Sequence, residues 1–275
     1  MTYLLWQQLE TNLQRQIASF SGVAGIAVKD LTGNLSLAIN ADEIFPTAST
    51  IKIHILTQLL VRAAAGEVDL QERMVIQPEQ HVGGSGVLTY LEGPVELSLL
   101  NVAILMIISS DNTATNICLE RAGLDATNAL LQQLGLPQTK VRRKMMDHLA
   151  AVREQENVAT PAELVTMFEL LHTGKPTPTV AERCLEILKK PKHGFIDRAL
   201  PSDLPHANKP GYVENVCCDA GLVYLPRRPY IMAIMTKYGR CSTEEQERFV
   251  VTCAQTIHAI MDSLSTSNSY GRSVY

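Results

Sequence analysis

Residues 45–52 read Phe45-Pro46-Thr47-Ala48-Ser49-Thr50-Ile51-Lys52, and they place a serine and a lysine three positions apart at the expected start of a helix. Apolar residues continue on the same helix face, so we expect the amine of Lys52 to be partly desolvated. Burial lowers the pKa of a lysine because it disfavours the charged form. Such an amine can take the proton of Ser49 Oγ and turn a weak hydroxyl into a nucleophile. The helix N-terminus would add a backbone N–H for a developing oxyanion.

This Ser-x-x-Lys pattern alone is expected about once by chance in a chain of this length, but two further polar segments follow it. Ser109-Ser110-Asp111-Asn112 interrupts an apolar helix, either as the N-cap of a helix from Thr113 or as a functional group. In the functional interpretation, Ser110 relays a proton to a leaving group, and Asn112 contacts Lys52 and the substrate. Asn208-Lys209-Pro210-Gly211 precedes a β-like run, a pattern that alone is typical of an exposed turn.

In this order, Ser-x-x-Lys, Ser-Asp-Asn and a Lys-x-Gly strand form the signature of the penicillin-recognising serine hydrolases. The spacings, 61 residues from Ser49 to Ser110 and 99 from Ser110 to Lys209, resemble those of the class A β-lactamases. So do three further segments: Gly83-Gly84-Ser85-Gly86-Val87-Leu88, Thr113-Ala114-Thr115-Asn116 and Ala159-Thr160-Pro161. The resemblance extends from about Ile17 to Leu264.

The resemblance implies an α+β fold, an α/β sandwich with a five-stranded antiparallel sheet flanked by terminal helices, plus an all-helical domain. We expect residues 1–45 and 190–275 to form the sheet domain and residues 46–189 the helical domain, with the site in a cleft between them. The implied catalytic residues are Ser49 as the acylated nucleophile, Lys52 as its base and Ser110 as the proton relay. The implied substrate-binding residues are Asn112, Lys209, Gly211 and Tyr212, of which Lys209 binds Ser110 and a substrate carboxylate. The backbone N–H groups of Ser49 and Tyr212 would form the oxyanion hole.

The residue pattern independently predicts the same order of elements. An amphipathic helix over Met1 to Phe20 precedes two β-like runs, Val23–Val28 and Leu35–Ile39, which suggest a hairpin. A helical middle follows, and a second hairpin is predicted over Cys217–Leu225 and Tyr230–Lys237. The last helix opens with Ser242 and, three residues later, a glutamate, which is the capping-box pattern.

The chain departs from the class A pattern in the loop ahead of Thr160-Pro161, where class A enzymes carry a glutamate that aligns the deacylating water. Counting back without gaps places Lys144 at the glutamate position and His148 at the position of a family asparagine. The nearby carboxylates, which are Asp147, Glu154 and Glu156, do not have the matching spacing. We therefore expect an acyl-enzyme that forms and then hydrolyses slowly.

Two other departures concern the substrate and the compartment. Pro210 stands where the family has a threonine or serine, which removes a hydroxyl and a backbone donor and weakens carboxylate recognition. The N-terminal helix lacks the basic segment and uninterrupted apolar stretch of a secretory signal, so we predict a cytoplasmic protein. The six cysteines lack metal-ligand spacing and are interpreted as packed thiols.

Composition limits the other function classes. The 275 residues are 46% hydrophobic and carry a net charge of −4, which disfavours disorder and nonspecific attraction to nucleic acid or anionic membranes. The sequence contains no Gly-x-Ser-x-Gly, His-Glu-x-x-His, P-loop or Gly-x-Gly-x-x-Gly pattern, and we expect neither a metal nor a cofactor.

Two hypotheses for the function stay open at this point. One is a β-lactamase-like hydrolase acting on a small amide or ester, and the other is an impaired protein of the same fold that binds penicillin-like ligands, peptides or a protein.

Overall fold

The computed structural model describes residues 2–33, 35–268 and 270–274. Within these residues the chain is a mixed α+β protein. The helices are α1 (Thr2–Ser19), α2 (Lys52–Ala64), α3 (Leu99–Ile108), α4 (Asn112–Ala122), α5 (Leu124–Gln133), α6 (His148–Val152), α7 (Pro161–His172), α8 (Pro178–Leu188), α9 (Phe195–Ala199) and α10 (Thr243–Thr266). The strands are β1 (Val23–Asp30), β2 (Ser36–Ile39), β3 (Phe45–Pro46), β4 (Arg73–Ile76), β5 (Val95–Ser98), β6 (Val158–Ala159), β7 (His206–Val213), β8 (Val216–Val223) and β9 (Tyr230–Lys237).

The chain divides into two compact units. The sheet unit comprises Met1–Thr50, Ala159–Glu169 and His193–Tyr275, and the helical unit comprises Ile51–Val158 and Leu170–Lys192. The sequence-based division at residues 45 and 190 differs in detail, because residues 46–50 and 159–169 pack within the sheet unit. The division into two functional domains stays a prediction.

The sheet unit contains the predicted five-stranded antiparallel sheet, which is confirmed with the strand order β2-β1-β9-β8-β7. Both hairpins lie where the β-like runs of the sequence predict them. The edge strand β7 contains Pro210, and an edge position tolerates a proline because one side of the strand needs no ladder donor. Lys209 pairs in register with Ala220 of β8, so its position is fixed by the sheet ladder.

The terminal helices contribute to the core of the sheet unit. Trp6, Leu9 and Leu13 of α1 belong to one buried apolar cluster with residues of β1, β9 and α10. Trp6 Nε1 also donates to the carbonyl of Ser36 at 3.1 Å, which satisfies its polar atom. Helix α10 begins with the predicted capping box, because the Ser242 side chain accepts from the backbone N–H of Glu245. The N-terminal helix is therefore an integral core element of this unit.

In the helical unit, α2 is buried along most of its length. Its residues Lys52 to Leu60 are all buried, and α2 packs against α4, α5 and α8. A two-stranded antiparallel pair, β4 and β5, leads into α3, which Ser98 caps by accepting from the N–H of Asn101 at 3.3 Å. Such a central helix needs apolar residues all round, and its polar exceptions therefore carry specific roles or costs.

The strand β7 lies very close to the backbone turn that contains Ser49. A Cβ added at Gly211 would lie 2.7 Å from Ser49 N, 2.9 Å from the Thr47 carbonyl oxygen and 3.0 Å from Thr50 N. These neighbours are backbone atoms, which cannot rotate away as a side chain can. The sheet unit therefore requires glycine at this position.

Substitution of Gly211 tests this close approach. We expect Gly211→Ala to lower the free energy of unfolding by about 1–3 kcal/mol, because the new methyl group overpacks the turn. Gly83→Ala is the matched control, since its Cβ would meet nothing within 4 Å. Urea denaturation followed by circular dichroism measures both values, and equal stabilities of the two variants would contradict the expectation.

His54, on α2, is a polar residue whose burial has an energetic cost. It is fully buried, neither ring nitrogen makes a hydrogen bond of normal geometry, and burial lowers its pKa to about 4 although a contact with the backbone of Ile51 raises it. The unfolded chain takes up a proton near the ordinary histidine pKa, whereas the native state does not do so until about pH 4. Stability is therefore lost as the pH falls from about 6.5 towards 4.

We expect His54→Leu to remove this part of the pH dependence. Between pH 7 and pH 5, wild type should lose about 2 kcal/mol more than His54→Leu. The exposed His148 supplies the control, because His148→Leu should keep the wild-type dependence. Urea denaturation at the two pH values measures the difference, and parallel losses in wild type and His54→Leu would show that His54 is not the group responsible.

Candidate active site

Lys52, Ser110 and Asn112 form one hydrogen-bonded cluster in the helical unit. Lys52 is the first residue of α2 and is fully buried. Its Nζ donates to the Ser110 carbonyl at 2.6 Å, to Ser110 Oγ at 3.1 Å and to Asn112 Oδ1 at 3.1 Å. These contacts satisfy the polar amino group in its buried position. The structure thus brings together three of the residues that the sequence singled out.

Asp111 fixes the backbone between Ser110 and Asn112. It caps α4, with Oδ1 accepting from Ala114 N at 2.9 Å, so the N-cap interpretation of this segment is correct. Its other oxygen, Oδ2, accepts from the backbone N–H groups of Val87 at 2.8 Å and Leu88 at 2.9 Å. Ser110 itself has a φ of 53°, a left-handed conformation that costs energy for a residue other than glycine. Asp111 therefore holds this segment through both carboxylate oxygens, one bound at the start of α4 and the other bound to the backbone at Val87 and Leu88.

The glycine loop at residues 83–86 packs directly onto this segment. Asn112 Nδ2 donates to the Gly83 carbonyl at 2.9 Å, and Asn112 N donates to the Ser85 carbonyl at 3.0 Å. Gly86 has a φ of 121°, and a Cβ there would lie 2.2 Å from Asp111 Oδ2. The loop can approach only because this residue lacks a side chain.

Ser49 lies in a short 3₁₀ turn, Ala48–Ile51, that runs directly into α2. The turn is closed by Thr50, whose N–H and hydroxyl both donate to the Thr47 carbonyl, at 3.0 and 2.8 Å. Ala48 has a φ of 45°, so the residue before the serine is in a left-handed conformation. Ser49 is partly buried, and Gly211 of β7 lies against its backbone N–H.

Lys209 is the second buried lysine, in the sheet unit. It is 1% exposed, and its Nζ donates to the Pro210 carbonyl at 2.8 Å. The preceding Asn208 donates through Nδ2 to Asp197 Oδ2 at 2.7 Å and to both oxygens of Asp219, at 3.3 and 3.2 Å. Burial raises the pKa of Asp219 to about 7, although its hydrogen bond from Ile196 N lowers it. Asn208, which precedes Lys209 in β7, is thus held in place by hydrogen bonds to Asp197 and Asp219.

Tyr212 completes the set of sequence-predicted residues. Its side chain is 41% exposed, and its hydroxyl shares a 2.7 Å hydrogen bond with Thr243 Oγ1 at the start of α10. Because β7 is an edge strand, the side of its backbone turned away from β8 lies outside the sheet ladder. Backbone groups of β7 can therefore serve a ligand, as the predicted oxyanion hole requires.

In the loop over residues 142–158, the carboxylates of Asp147 and Glu156 make structural contacts, and Glu154 is exposed with a φ of 60°. Lys144 forms an ion pair with Glu120 at 2.5 Å and is exposed. Asp147 caps α6 by accepting from Ala150 N at 2.9 Å. Glu156 accepts two hydrogen bonds of 2.9 Å from Arg143 Nη2.

Residue-counting missed the contact that anchors this loop. Asn116 Oδ1 accepts from Met145 N at 2.8 Å, and Asn116 Nδ2 donates to the Met145 carbonyl at 3.3 Å. Asn116 follows Asn112 by four residues in α4, so the two amides share one helix face. The backbone of Met145 is therefore held at Asn116, and the side chain of Lys144 contacts Glu120 farther along the same helix. The i,i+4 spacing of the two asparagines is the signal that could have indicated it.

Other features of the described residues bear on function class. In residues 2–33, 35–268 and 270–274, no group of three or more His, Cys, Asp or Glu side chains could hold a metal ion. No helix of that part of the chain has both the length and the apolar character needed to cross a membrane. All six cysteines are free thiols, and five of them are buried.

Comparison with known proteins gives two sequence matches. A model of the beta-lactamase enzyme family matches residues 8–261. Beta-lactamase BRO-1 of Moraxella catarrhalis is 25% identical over 173 residues, which cover 62% of this chain. The match spans 55% of that protein, so the chain corresponds to about half the length of this curated relative.

Solved structures match over nearly the whole chain. A beta-lactamase from Sphaerobacter thermophilus DSM 20745 has 27% sequence identity and a TM-score of 0.86, covering 93% of this chain and 97% of that one. PBP-A has 28% identity and a TM-score of 0.82, covering 92% of this chain and 95% of its own. An ancestral class A beta-lactamase, at 23% identity, has a TM-score of 0.84 over 92% of this chain and 99% of its own, a likeness of fold.

The fold, the order of the three motifs and these matches agree with one another. The resemblance to class A β-lactamases that the sequence indicated is confirmed. The chain belongs to the beta-lactamase enzyme family.

Proposed function

We propose that this protein is a serine hydrolase that forms an acyl-enzyme on Ser49 with a β-lactam or a related amide or ester, and releases it slowly. The observation that carries the proposal is the cluster in which Lys52 contacts both Ser110 and Asn112. A buried lysine with a serine hydroxyl on its amine is the arrangement needed to move protons during acyl transfer. Family membership supports the same chemistry.

Acylation follows from the roles that we assign to these residues. Ser49 Oγ attacks the carbonyl carbon, and Lys52 in its neutral form takes the hydroxyl proton. The hydrogen bond between Lys52 Nζ and Ser110 Oγ can carry that proton onward, so Ser110 delivers it to the leaving nitrogen. The oxyanion is stabilised by the backbone N–H groups of Ser49 and Tyr212. Asn112 and Gly211 bind the substrate alongside them.

Substrate recognition combines Lys209 with the altered motif around it. Lys209 supplies a positive charge for a substrate carboxylate, and Asn208 holds the strand beside it. Pro210 brings neither a hydroxyl nor a backbone N–H to that carboxylate. Recognition therefore depends mainly on one point charge, and we propose weaker discrimination between carboxylate-bearing substrates and neutral esters.

Slow hydrolysis of the acyl-enzyme follows from the residues that the 142–158 loop contributes next to α4. The residue that Asn116 anchors is Met145, and the next is Met146, so the loop presents two thioethers here instead of a carboxylate. Asp147 and Glu156 are engaged in a helix cap and an ion pair, and Glu154 is exposed farther along the loop. We propose that a water molecule at the acyl ester therefore has no carboxylate positioned to take its proton.

One relative supports the acylation step. A variant of PBP-A was solved as an acyl-enzyme complex with penicillin G, and it is 28% identical to this chain over 92% of its length. The same loop features also favour the second candidate, a protein that binds penicillin-like or peptide ligands without turnover. Catalytic turnover of any ester or amide that depends on Ser49 excludes this second candidate.

Replacement of Ser49 tests the nucleophile. Wild type incubated with penicillin G should gain the mass of one penicilloyl group on the peptide that contains Ser49, and Ser49→Ala should gain none. Ser202→Ala, which changes an exposed serine in a loop, should label like wild type. Intact-protein mass spectrometry and peptide mapping give the result. Equal labelling of Ser49→Ala and wild type would exclude the proposed mechanism.

A carboxylate placed at Met145 tests the origin of slow release. We expect Met145→Glu to accelerate hydrolysis of the acyl-enzyme by at least about tenfold, because it supplies a general base on the face of α4 that carries Asn112. Lys144→Glu is the control, since this exposed side chain contacts Glu120 and should leave the rate unchanged. The decay of the mass adduct over time gives both rates. Acceleration by Lys144→Glu alone would support the ungapped counting instead.

Location and partners stay predictions. We propose a cytoplasmic protein whose partner is a small acyl compound, with neither nucleic acid nor membrane as a binding partner. Fractionation of the source cells, followed by immunoblotting, tests the location. The expected result is recovery with the cytoplasmic fraction.

A further inference from the structure

A cavity of about 490 Å³ lies in the sheet unit, where the C-terminal end of α10 meets the turn between β8 and β9. Its volume is in the range of sites that bind small molecules. Asp30 and Tyr230 pair in the ladder at this end of the sheet, whereas Gly211 belongs to the row of Gly25, five residues back along β1. At about 3.4 Å per residue, the two rows are roughly 17 Å apart. The cavity is therefore distinct from the region around Gly211.

Two arginines from the turn between β8 and β9 line the cavity. Arg228 N donates to the Leu225 carbonyl at 3.1 Å, which closes the turn, and Arg227 has a φ of 66°. Pro226 at the second position and a left-handed residue at the third are typical of a type II turn, in which the third residue is usually glycine. An arginine occupies that position here in spite of the backbone cost.

Arg228 is held in place by a buried carboxylate. Its Nε lies 3.2 Å from Asp30 Oδ2, and the Asp30 side chain is 0% exposed. Asp30 Oδ1 accepts from Thr32 N at 2.9 Å, and Thr32 Oγ1 donates to the Arg227 carbonyl at 3.2 Å. These contacts join the turn that follows β1 to the turn between β8 and β9. A guanidinium group that is fixed before a ligand arrives lowers the entropic cost of binding.

The charge of the lining favours an anion. Among the described residues that line the cavity, Arg227 and Arg228 are charged and none is acidic. The buried Asp30 lies against Arg228, so one carboxylate faces two guanidinium groups. Planar guanidinium groups match the oxygen atoms of phosphate and carboxylate groups through paired hydrogen bonds.

The hydroxyl groups of the lining restrict the ligand further. Ser263 Oγ donates to the Ala259 carbonyl at 2.8 Å, and Ser265 Oγ donates to the Pro226 carbonyl. Thr32 likewise donates to a backbone carbonyl. Each hydroxyl has a single hydrogen, so these three side chains can offer a ligand only their acceptor lone pairs. A ligand that satisfies them must bring its own O–H donors beside its anionic group.

We propose that this cavity binds a small anion that also carries hydroxyl groups, the chemistry shared by the phosphate esters of sugars and by sugar acids. The two arginines bind the anionic group, and the serine and threonine oxygens accept from its hydroxyls. Leu5 and Leu264, which also line the cavity, pack on its carbon atoms. The inference goes beyond the proposed function, because none of these residues belongs to the Lys52 cluster or to β7.

Calorimetric titration of the full chain at low ionic strength tests the proposal with four probes: glucose 6-phosphate, gluconate, inorganic phosphate and glucose. At least one of the two hydroxylated anions should bind about tenfold more tightly than both inorganic phosphate and glucose. Tighter binding of glucose 6-phosphate identifies a phosphate ester as the ligand, and tighter binding of gluconate identifies a sugar acid. If neither binds more tightly than inorganic phosphate, the proposal is overturned.

Three variants locate the binding. Arg227→Gln should weaken binding of the preferred anion about tenfold, the scale of one lost hydrogen bond to a charged group. Ser263→Ala should reduce the preference for that anion over inorganic phosphate, because it removes an acceptor for a ligand hydroxyl. Arg15→Gln, which removes an exposed arginine of α1, is the matched control and should bind like wild type.

Equal affinities of Arg227→Gln and Arg15→Gln would show that the anion binds elsewhere, and would overturn the proposal. Circular dichroism of each variant checks that the fold is kept. Labelling of Arg227→Gln by penicillin G should equal that of wild type. Because the titration involves no acyl transfer, anion binding without acylation would leave this inference standing while the proposed function fails, and acylation without anion binding would do the reverse.

Discussion

The buried amino group of Lys52 constrains the structure around it more than any other single group. Removing an ammonium group from water costs several kcal/mol unless hydrogen bonds replace the lost solvent. The chain provides three acceptors, two from Ser110 and one from Asn112. Ser110 has a left-handed backbone, and the next residue, Asp111, caps α4. The contacts of the buried amine therefore involve the segment in which α3 ends and α4 begins.

The sheet unit contains a comparable buried lysine, and it solves the same problem differently. Lys209 lies on an edge strand, where the ladder to β8 fixes its position. Beneath it, Asn208 links two carboxylates, of which Asp219 also accepts from the backbone N–H groups of Phe195 and Ile196 at 2.9 and 2.8 Å. These contacts satisfy buried polar groups that would otherwise destabilise the unit. The amino group of Lys209 itself donates to the Pro210 carbonyl at 2.8 Å, and its charge lowers the pKa of Asp219.

Sequence reasoning succeeded where local pattern and chemistry agree. The two hairpins and α10 follow from β-like apolar runs and a capping box, and the order of the three motifs correctly indicated the family. Strand β7 has no such run, because Pro210 and Gly211 interrupt it, and only the family resemblance suggested a strand. In the 142–158 loop, counting residues without gaps placed Lys144 at the position of the class A glutamate. The structure adds hydrogen bonds between Met145 and Asn116 of α4 across 29 residues of sequence, and an ion pair between Lys144 and Glu120 of the same helix, contacts that counting along the chain does not reveal.

Asp111 also has a consequence for how the helical unit forms. One of its oxygens begins α4, and the other binds the backbone at Val87 and Leu88. The first turn of α4 and the residues that follow the glycine loop therefore share Asp111, in addition to the bonds from Asn112 to Gly83 and Ser85, so neither segment gains its full stabilisation until the other has docked. Such a shared anchor makes the two segments one cooperative folding unit, in which a local opening of the loop also frays the helix that presents Asn112.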